Sequence, residues 1–425
     1  MSSSSPEEDQ SKPSVLKVTD VASLRPEQWT SSANETLKLF ITNSGEAVTF
    51  PPTFTYPLFG DAETIYGYRD LDVFLCFDHY TFLPFLNVKY AEKLRGDAEI
   101  VDVKETMLKH LPDLTVFKDE VKWVDAIEAE KKNGYAIPGV MVDSFQEGGR
   151  EFEIYRIDLK SESGFELHQR LQILVLLFIE AGSFIDAKDE LWNLYVFYEK
   201  SKDQEPSIVG FTTAYNYWKY PGASKFDSEV QEVRIKISQF IILPVYQGQG
   251  LGPLLYTHLF NKWLQDDGII EVVIEDPNES FDDLRDRADL KRLNEDALFD
   301  FNEVTPSVDK GWIEKTRKRL KLEKRQFARL LEIILLYKLK QGGFPGVTKK
   351  DVRLFIKKRL YDKNKEGLAT LDDNAKKDKL QTAYQALEED YYRILGDLKL
   401  NIKRKSSGGG SGGDDYEQSS KRQKA

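Results

Sequence analysis

The chain is poor in cysteine, in histidine and in long apolar segments. Cys76 is the only cysteine among 425 residues, so no disulfide can form within the chain, and we expect a core thiol rather than a nucleophile. The four histidines are scattered without ligand spacing, which argues against a zinc site. No run of 18 apolar residues occurs, and the start MSSSSPEEDQSKPS lacks the apolar stretch of a secretory signal. These absences predict a cytosolic or nuclear protein without a membrane span.

Acidic side chains outnumber basic ones, 71 to 60, and the excess is unevenly distributed. Residues 1–312 carry 31 basic and 55 acidic side chains, a net charge of −24. Residues 313–405 carry 26 basic and 13 acidic side chains, a net charge of +13. An acidic body favours basic partners by electrostatic steering, although the same charge could serve only to keep the protein soluble.

Composition divides the chain into three predicted domains between two polar ends. Short apolar runs separated by Pro- and Gly-bearing turns predict an α+β domain over residues 15–150. Interleaved strands and helices predict an α/β core with a mixed sheet over residues 151–305. Basic amphipathic helices predict a helical bundle over residues 306–402. We expect residues 1–14 to be disordered and the Gly/Ser-rich tail 403–425 to be flexible.

The tail contains two short basic clusters, Lys403-Arg404-Lys405 and Lys421-Arg422-Gln423-Lys424. Such clusters can act as nuclear-import signals, and they also occur without any function. Together with the absence of a secretory signal, they lead us to expect a location in the cytoplasm and nucleus.

The most informative segment is a strand, a glycine-rich loop and a helix between residues 233 and 265. The loop reads QGQGLG from Gln247 to Gly252, and a further strand is predicted at Ile269–Ile274, so the two strands should be parallel. Glycines uncover the amides of a turn, and the N-terminus of a helix attracts anions. The loop therefore predicts a site for a phosphorylated cofactor, although it could be only a turn that joins a strand to a helix. Pro253 is compatible with both interpretations, because the first helical turn tolerates proline.

Spacing narrows the choice of cofactor. A P-loop requires Gly-Lys-Ser/Thr, which does not follow these glycines, and a dinucleotide fingerprint from Gly248 would need glycine where Pro253 stands. What remains is the pattern Q-x-x-G-x-G, formed by Gln247, Gly250 and Gly252. This pattern resembles the pyrophosphate loop of the acetyl-CoA-dependent N-acetyltransferase superfamily.

Four further segments make the resemblance more specific: LFIEAGSFID at Leu177–Asp186, EVVIEDPNESFDDLRDR at Glu271–Arg287, FGDAETIYGYRDL at Phe59–Leu71, and AYNYW at Ala214–Trp218. Together with the loop they resemble the catalytic subunits of type B histone acetyltransferases, over about residues 15–400. The chain departs from that family at Leu251, where histidine is common. The resemblance implies an N-acetyltransferase core with a mixed sheet, an N-terminal α+β domain and a C-terminal helical bundle.

Three carboxylates are candidates for the chemistry. A lysine ammonium has a pKa of ~10.4, so a base must remove its proton before the amine attacks a thioester. Glu275 and Asp276 follow the predicted strand Ile269–Ile274, and Glu180 follows an apolar helix pattern. If two carboxylates share a poorly solvated site, the pKa of one should rise towards neutrality. The resemblance assigns the base to Glu275, assisted by Glu180 and Asp276, whereas the alternative interpretation of Glu-Asp-Pro-Asn before Phe281 is a helix cap.

The resemblance also implies binding residues. The implied cofactor contacts are Ile241, Ile242, Leu243, Gln247, Gly248, Gln249, Gly250, Leu251, Gly252, Pro253, Asn278 and Arg287. The implied substrate contacts are Asp61, Ala62, Glu63, Asn216, Tyr217 and Trp218. Arg287 could instead form a surface salt bridge, and one of the two aromatic residues should pack on the strand face.

The implied activity is transfer of acetyl from acetyl-CoA, without a metal, to lysines of the N-terminal tail of newly made histone 4. The absence of a cysteine near the motifs favours direct attack in a ternary complex. The implied partners are a WD-repeat β-propeller histone chaperone and the histone 3–histone 4 dimer; we expect no membrane contact and no direct nucleic-acid binding. Two alternatives remain open: acetylation of another protein or a small amine, and a catalytically silent histone-binding scaffold.

Overall fold

The computed structural model describes residues 14–17, 26–43, 46–95, 100–202, 204–220, 222, 232–342, 348–396 and 398–402. The chain divides into two compact units. The first comprises residues 1–288 and 314–324, and the second comprises residues 289–313 and 325–425. Except for Ser14, the ends predicted to be disordered or flexible lie outside the described residues, as do both basic clusters of the tail.

The first unit holds the sixteen strands of the described chain, arranged in four sheets. Their bounds are β1 Ser14–Lys17, β2 Thr30–Ser32, β3 Leu37–Asn43, β4 Glu46–Phe50, β5 Thr64–Tyr66, β6 Tyr68–Arg69, β7 Asp72–Asp78, β8 Pro84–Lys89, β9 Glu92–Arg95, β10 Val116–Phe117, β11 Gly139–Glu147, β12 Arg150–Ile157, β13 Trp192–Lys200, β14 Ser207–Trp218, β15 Val233–Ile242 and β16 Ile269–Ile274.

The described residues also form fourteen α-helices. Their bounds are α1 Pro26–Trp29, α2 Ala33–Thr36, α3 Tyr56–Phe59, α4 Val103–Leu108, α5 Glu120–Lys132, α6 Glu162–Leu171, α7 Ile173–Phe178, α8 Leu251–Gln265, α9 Glu279–Glu295, α10 Lys310–Arg319, α11 Lys324–Lys340, α12 Lys349–Lys363, α13 Lys365–Ala369 and α14 Asp373–Leu395.

A six-stranded sheet carries the predicted loop. Its order is β11-β12-β13-β14-β15-β16, with antiparallel neighbours except for the parallel pair β15 and β16. Helix α8 connects that parallel pair, as predicted for a strand, loop, helix and strand in succession. The apolar patterns of the sequence predict a helix at Leu251–Gln265 and a strand at Ile269–Ile274, and both sets of bounds are confirmed.

One hydrophobic core joins this sheet to a five-stranded sheet of order β10-β8-β7-β3-β4. Leu39 and Leu75 of the five-stranded sheet belong to the same buried cluster as Leu177 of α7 and Val196 and Phe211 of the six-stranded sheet. Residues on both sides of position 150 thus share a core, and β11 of the six-stranded sheet begins before residue 151. The domain boundaries inferred from composition remain predictions.

The apolar pattern of the sequence predicts one continuous helix over Glu166–Ile179. This prediction is wrong, because the segment contains two helices, α6 and α7, which meet at Gln172. The turn tightens there, because the amide of Val175 donates to the carbonyl of Gln172 at 3.0 Å, three residues back rather than four. Ile179 is extended and Ala181 has a φ of 53°, so Glu180 lies in the loop after α7.

The second unit is helical in its described part, as the basic amphipathic pattern predicts. Its interior contains a buried acid, Glu332 of α11, with no exposed side-chain surface. The carboxylate accepts hydrogen bonds from Arg359 Nε at 2.6 Å and from the Tyr391 hydroxyl at 2.7 Å. Burial raises the pKa of Glu332, and its bonds with Arg359 and Tyr391 oppose that rise. None of the described helices is long and apolar enough to cross a membrane.

We predict that Glu332→Ala lowers the free energy of unfolding by about 3 kcal/mol or more, since it leaves Arg359 without its buried partner. Glu332→Leu combined with Arg359→Met removes both charges and should be markedly more stable than the single variant. Denaturant unfolding of the full chain measures both. A double variant as unstable as the single one would contradict this account of the pair.

Candidate active site

Strand β15 loses one of its two neighbours halfway along its length. Its parallel pairing with β16 ends where Ile237 lies opposite Ile274, and the amide of Glu275 makes the last contact, donating to the Ile237 carbonyl at 2.9 Å. On the other side, β14 pairs with β15 up to Ile242. The register shifts by one residue at Ser238, which forms a β-bulge. Residues 238–242 therefore have one edge that is not covered by any described strand.

The open edge presents backbone donors. The amide of Leu243 donates to the Val209 carbonyl of β14 at 2.9 Å. Hydrogen-bonded positions alternate along an antiparallel pair, so the amides of Phe240 and Ile242 point to the opposite, open edge. The Ile242 carbonyl points the same way and accepts a hydrogen bond from Gln247 Nε2 at 2.8 Å. The implied contact through Leu243 is thus less suited to a ligand than contacts through its neighbours.

The glycine-rich loop begins just beyond this edge. Gly248 and Gly250 have φ angles of 73° and 78°, a region that favours glycine, and a Cβ on either would meet no other atom within 4 Å. Gly250 is the N-cap of α8, so the first amides of that helix have no partner within the helix. A Cβ on Gly252 would lie 2.9 Å from Leu284 Cδ1. Two glycines thus serve the turn and the third allows close packing, an arrangement that fits an anionic ligand at the helix N-terminus.

The open edge, the loop and the end of β16 surround one cleft of about 1100 Å³. Thirteen of the predicted site residues line it: Glu180, Ile241, Ile242, Gln247, Gly248, Gly250, Leu251, Gly252, Pro253, Glu275, Asp276, Asn278 and Arg287. Residues that sequence reasoning missed also line it: Thr53, Phe54, Phe178, Ile179, Ala181, Ile237, Ser238, Phe240, Tyr246, Ile274, Pro277, Ser280, Phe281, Asp283 and Leu284. Many of these are apolar and carry no chemical signal of their own.

Glu275 is held by two side chains of β15. Lys236 Nζ binds one carboxylate oxygen and the Ser238 hydroxyl donates to the other. Partial burial acts to raise the pKa of Glu275, but the hydrogen bonds and the charge of Lys236 outweigh it and lower the pKa below its ordinary value. The expectation that a shared carboxylate site raises the pKa of Glu275 was therefore wrong, because a lysine and not a second acid is its immediate partner.

The cap of helix α9 is Asn278 and not Glu275. Its side-chain oxygen accepts a hydrogen bond from the amide of Phe281 at 2.9 Å, the geometry of an N-cap for α9. Glu275 bonds to β15 instead, so it is not the cap. Asp276 follows with a φ of 35° and lines the same cleft. The turn interrupts the alternation of side chains, which is why both acids reach the cleft.

Arg150 is a further residue that the sequence did not reveal. Its guanidinium binds Glu199 through two hydrogen bonds of 2.6 and 2.7 Å, and it donates to Gln249 Oε1 at 2.8 Å. Gln249 is thereby held outside the cleft lining, so the predicted cofactor contact through its side chain is weakened.

Arg287 lines the cleft and forms no ion pair with the described residues, which disfavours its interpretation as a surface salt bridge.

The acidic loop predicted to bind substrate contains two different acids. Asp61 is exposed. Glu63, in contrast, accepts hydrogen bonds from the amides of Thr55 and Tyr56 at 2.6 and 3.1 Å and from Asn34 Nδ2 at 2.9 Å. The bond from the Thr55 amide is the largest cause that lowers the pKa of Glu63. Glu63 thus organises its own loop, while Asp61 and Ala62 remain available at the surface.

The second predicted substrate segment ends strand β14. The Tyr217 hydroxyl accepts a hydrogen bond from Arg234 at 3.1 Å, and Glu271 binds Arg234 at 2.6 Å. Trp218 keeps 47% of its surface exposed. Asn216 has a buried side-chain oxygen without a hydrogen-bond partner among the described residues. Tyr217 is therefore the residue held against the sheet, and Trp218 is the one presented outward.

The single cysteine and the described metal-ligand side chains offer no further chemistry. Burial raises the pKa of the Cys76 thiol to about 12, which makes it a poor nucleophile. Among the described residues, no group of three or more His, Cys, Asp or Glu side chains could hold a metal ion.

Comparison with models of known protein families identifies the class of enzyme. The model for the Acetyltransferase (GNAT) family matches residues 154–281, which include the open edge and the glycine-rich loop. The models described as Histone acetyl transferase HAT1 N-terminus and Fungal HAT1, C-terminal match residues 29–180 and 286–340. The fold is that of a GNAT acetyltransferase, a class of enzymes that use acetyl-CoA.

Relatives that match most of the chain identify the family. The chain is similar to the histone acetyltransferase type B catalytic subunits of Candida albicans, with 76% identity, and of Kluyveromyces lactis, with 46% identity. These matches cover 91% and 89% of this chain and 94% of each relative. The counterpart from Schizosaccharomyces pombe is 33% identical over 88% of this chain and 94% of its own. The chain belongs to the family of type B histone acetyltransferase catalytic subunits.

We predict that Gly250→Val weakens acetyl-CoA binding while the chain stays folded, because a branched side chain at positive φ strains the loop and shields its amides. Calorimetric titration with acetyl-CoA measures the affinity. Gly134→Val is a matched control, since Gly134 also has a positive φ of 84° and open surroundings but lies outside the cleft lining. Equal affinities in the two variants would contradict a cofactor role of the loop.

We predict that Glu63→Gln lowers the stability by about 1–2 kcal/mol, because an amide donor would face the donors that now bind the carboxylate. Asp61→Asn should leave the stability unchanged. The folded-state pKa of Glu63 is lowered, so its contribution is present above the ordinary value of 4.5 and is lost as the pH falls through the folded-state pKa. Thermal unfolding from pH 3 to 8 tests this, and a difference between Glu63→Gln and wild type that is independent of pH would contradict it.

Proposed function

We propose that the enzyme acetylates lysine side chains in the N-terminal tail of newly synthesised histone 4, with Glu275 as the general base. The observation that carries this proposal is the position of Glu275. Its carboxylate lines the cleft at the point where β15 and β16 separate, and it is not used as a helix cap. An acid at that point can accept a proton from an amine that enters beside the open edge.

Different residues of the cleft serve different steps of acetyl transfer. The amides of the loop and the N-terminus of α8 are suited to the pyrophosphate of acetyl-CoA, and the open edge of β15 is suited to its extended amide-bearing arm. Glu275 takes a proton from the acceptor ammonium, and the neutral amine attacks the thioester carbonyl directly. The new carbon–nitrogen bond replaces the carbon–sulfur bond, and coenzyme A leaves as its thiol with the second proton that the amine gives up. The amides of Phe240 or Ile242 donate to the carbonyl oxygen as negative charge develops there. Glu180 and Asp276 assist as neighbouring carboxylates.

Charge and exposure support a basic peptide as acceptor. The net charge of −24 over residues 1–312 attracts a lysine-rich tail, and Asp61 is exposed in the loop that Glu63 organises. Trp218 can cover the aliphatic part of a lysine side chain. From the resemblance to type B histone acetyltransferases we further propose that the enzyme acts with a WD-repeat β-propeller histone chaperone on the histone 3–histone 4 dimer, in the cytoplasm and nucleus.

The rival functions make different demands. An enzyme for small amines would not need an exposed acid and an exposed tryptophan outside the cleft. A silent scaffold would not need glycine at the two loop positions of positive φ. Mass spectrometry of tail peptides from each histone, incubated with the enzyme and acetyl-CoA, separates these possibilities: a gain of acetyl on histone 4 lysines supports the proposal, and exclusive modification of another substrate overturns it.

We predict that Glu275→Gln lowers kcat by ~10²–10⁴-fold, the usual contribution of a general base. Affinity for acetyl-CoA and the melting temperature should stay near wild type, because the cofactor contacts are backbone amides and Asn278 keeps its capping bond. The remaining activity should rise with pH as more acceptor amine is neutral. A folded variant with wild-type kcat and pH profile would reject Glu275 as the base, and a larger loss in Glu180→Gln would reverse the two roles.

A further inference from the structure

Two residues of β15, Lys236 and Ser238, bind the carboxylate of Glu275. Both side chains bond to the same carboxylate, so they leave the strand on the same side. Each takes a different oxygen: Lys236 binds Oε1 and Ser238 binds Oε2. Ser238 is also the bulge residue at which the open edge begins. The direction of Glu275 is therefore fixed by the strand that carries the open edge.

A lysine in this place has two opposing effects on a base. Its donor orients the carboxylate, which favours proton transfer, since the efficiency of a general base depends on alignment with the proton. Its positive charge stabilises the ionised form and so weakens the carboxylate as a proton acceptor. The side chains of Lys236 and Glu275 are only partly exposed, at 29% and 39%, so solvent does not fully screen this charge.

Other ionisable groups around the cleft do not replace Lys236. Glu180 lies on the loop after α7, Tyr246 precedes the glycine-rich loop, Asp276 is the neighbour of the base, and Asp283 and Arg287 are on α9. Three of these are acids, which would raise rather than lower the pKa of a nearby carboxyl group. The downward shift of the pKa of Glu275 is attributed to Lys236 and Ser238 alone.

We propose that Lys236 is a positioning residue for acetyl transfer: its ammonium aims the Glu275 carboxylate into the cleft and sets how readily that carboxylate takes a proton. This inference rests on the proposed role of Glu275 as the base. The acceptor lysine must approach a carboxylate that already holds one ammonium, so Lys236 competes with it for Oε1. Ser238 supplies the second, uncharged bond that keeps the carboxylate in place during this exchange.

The test compares Lys236→Met, Lys236→Arg and Lys160→Met. Lys160 pairs with Glu190 at 2.7 Å outside the cleft lining, so its variant is a control for the loss of an exposed lysine–glutamate pair. Carbon-13 NMR of the enzyme labelled at its Glu carboxyl groups follows the titration of Glu275, assigned by its absence in Glu275→Gln. Steady-state kinetics with a histone 4 tail peptide give kcat and kcat/KM against pH.

In Lys236→Met we expect the titration of Glu275 and the acid limb of kcat/KM to move to higher pH, and kcat to fall by about 10-fold, a part of the usual contribution of a base. Lys236→Arg should keep the wild-type titration and most of the activity. If Lys236→Met does not fold, Lys236→Gln provides the same loss of charge. An unchanged titration and acid limb in the uncharged variant, or the same change in Lys160→Met, would overturn the inference. Wild-type kcat in Glu275→Gln would instead overturn the proposed base, while the NMR titration still reports on Lys236.

Discussion

The separation of β15 from β16 after Ile237 is the constraint on which the site depends. Up to that pair the two strands share a parallel ladder, and beyond it β15 continues with only β14 beside it. A half-paired strand is ordinarily a liability, because unpaired backbone groups invite other strands. Here the edge opens into a cleft, which suits a narrow ligand with amides of its own.

The other parts of the site follow from that separation. Helix α8 must leave the end of β15 and return to β16, so its N-terminus and the glycines that precede it lie at the open end of the gap. The last residue contact before the gap is made by Glu275, which places its carboxylate at the gap rather than inside the sheet. The bulge at Ser238 turns a second polar group towards the same acid. The positions of the glycine-rich loop, of Glu275 and of its partners on β15 are therefore consequences of one change in strand pairing.

Local sequence patterns predicted helices and strands well where the apolar residues recur at one regular spacing. The apolar face of α8 and the short apolar run of β16 were sufficient to give their bounds. The end of α7 was not predictable in the same way, because Gln172 is compatible with a helix and only the tightened turn at Val175 divides it. The bulge depends on how β14 and β15 are aligned. That register cannot be predicted from the local sequence of either strand.

Sequence motifs predicted residues that line the cleft, but they did not predict the charges and hydrogen bonds around those residues. Motif spacing identified the loop and the acids after β16, yet the pairing of Glu275 with Lys236 joins residues that are far apart in the sequence. Glu63 illustrates the same limit: the resemblance implied a substrate contact, whereas its hydrogen bonds to Thr55 and Tyr56 show a role in its own loop.

Amide hydrogen exchange tests the central claim, that the open edge of β15 and the adjacent loop form the cofactor site. Exchange of the full chain would be followed by mass spectrometry with and without acetyl-CoA, at peptides that cover residues 238–252. The account predicts slower exchange across these residues when acetyl-CoA is present, and unchanged exchange in strands β3, β7 and β8 of the five-stranded sheet. Unchanged exchange at residues 238–252 under saturating acetyl-CoA would contradict it.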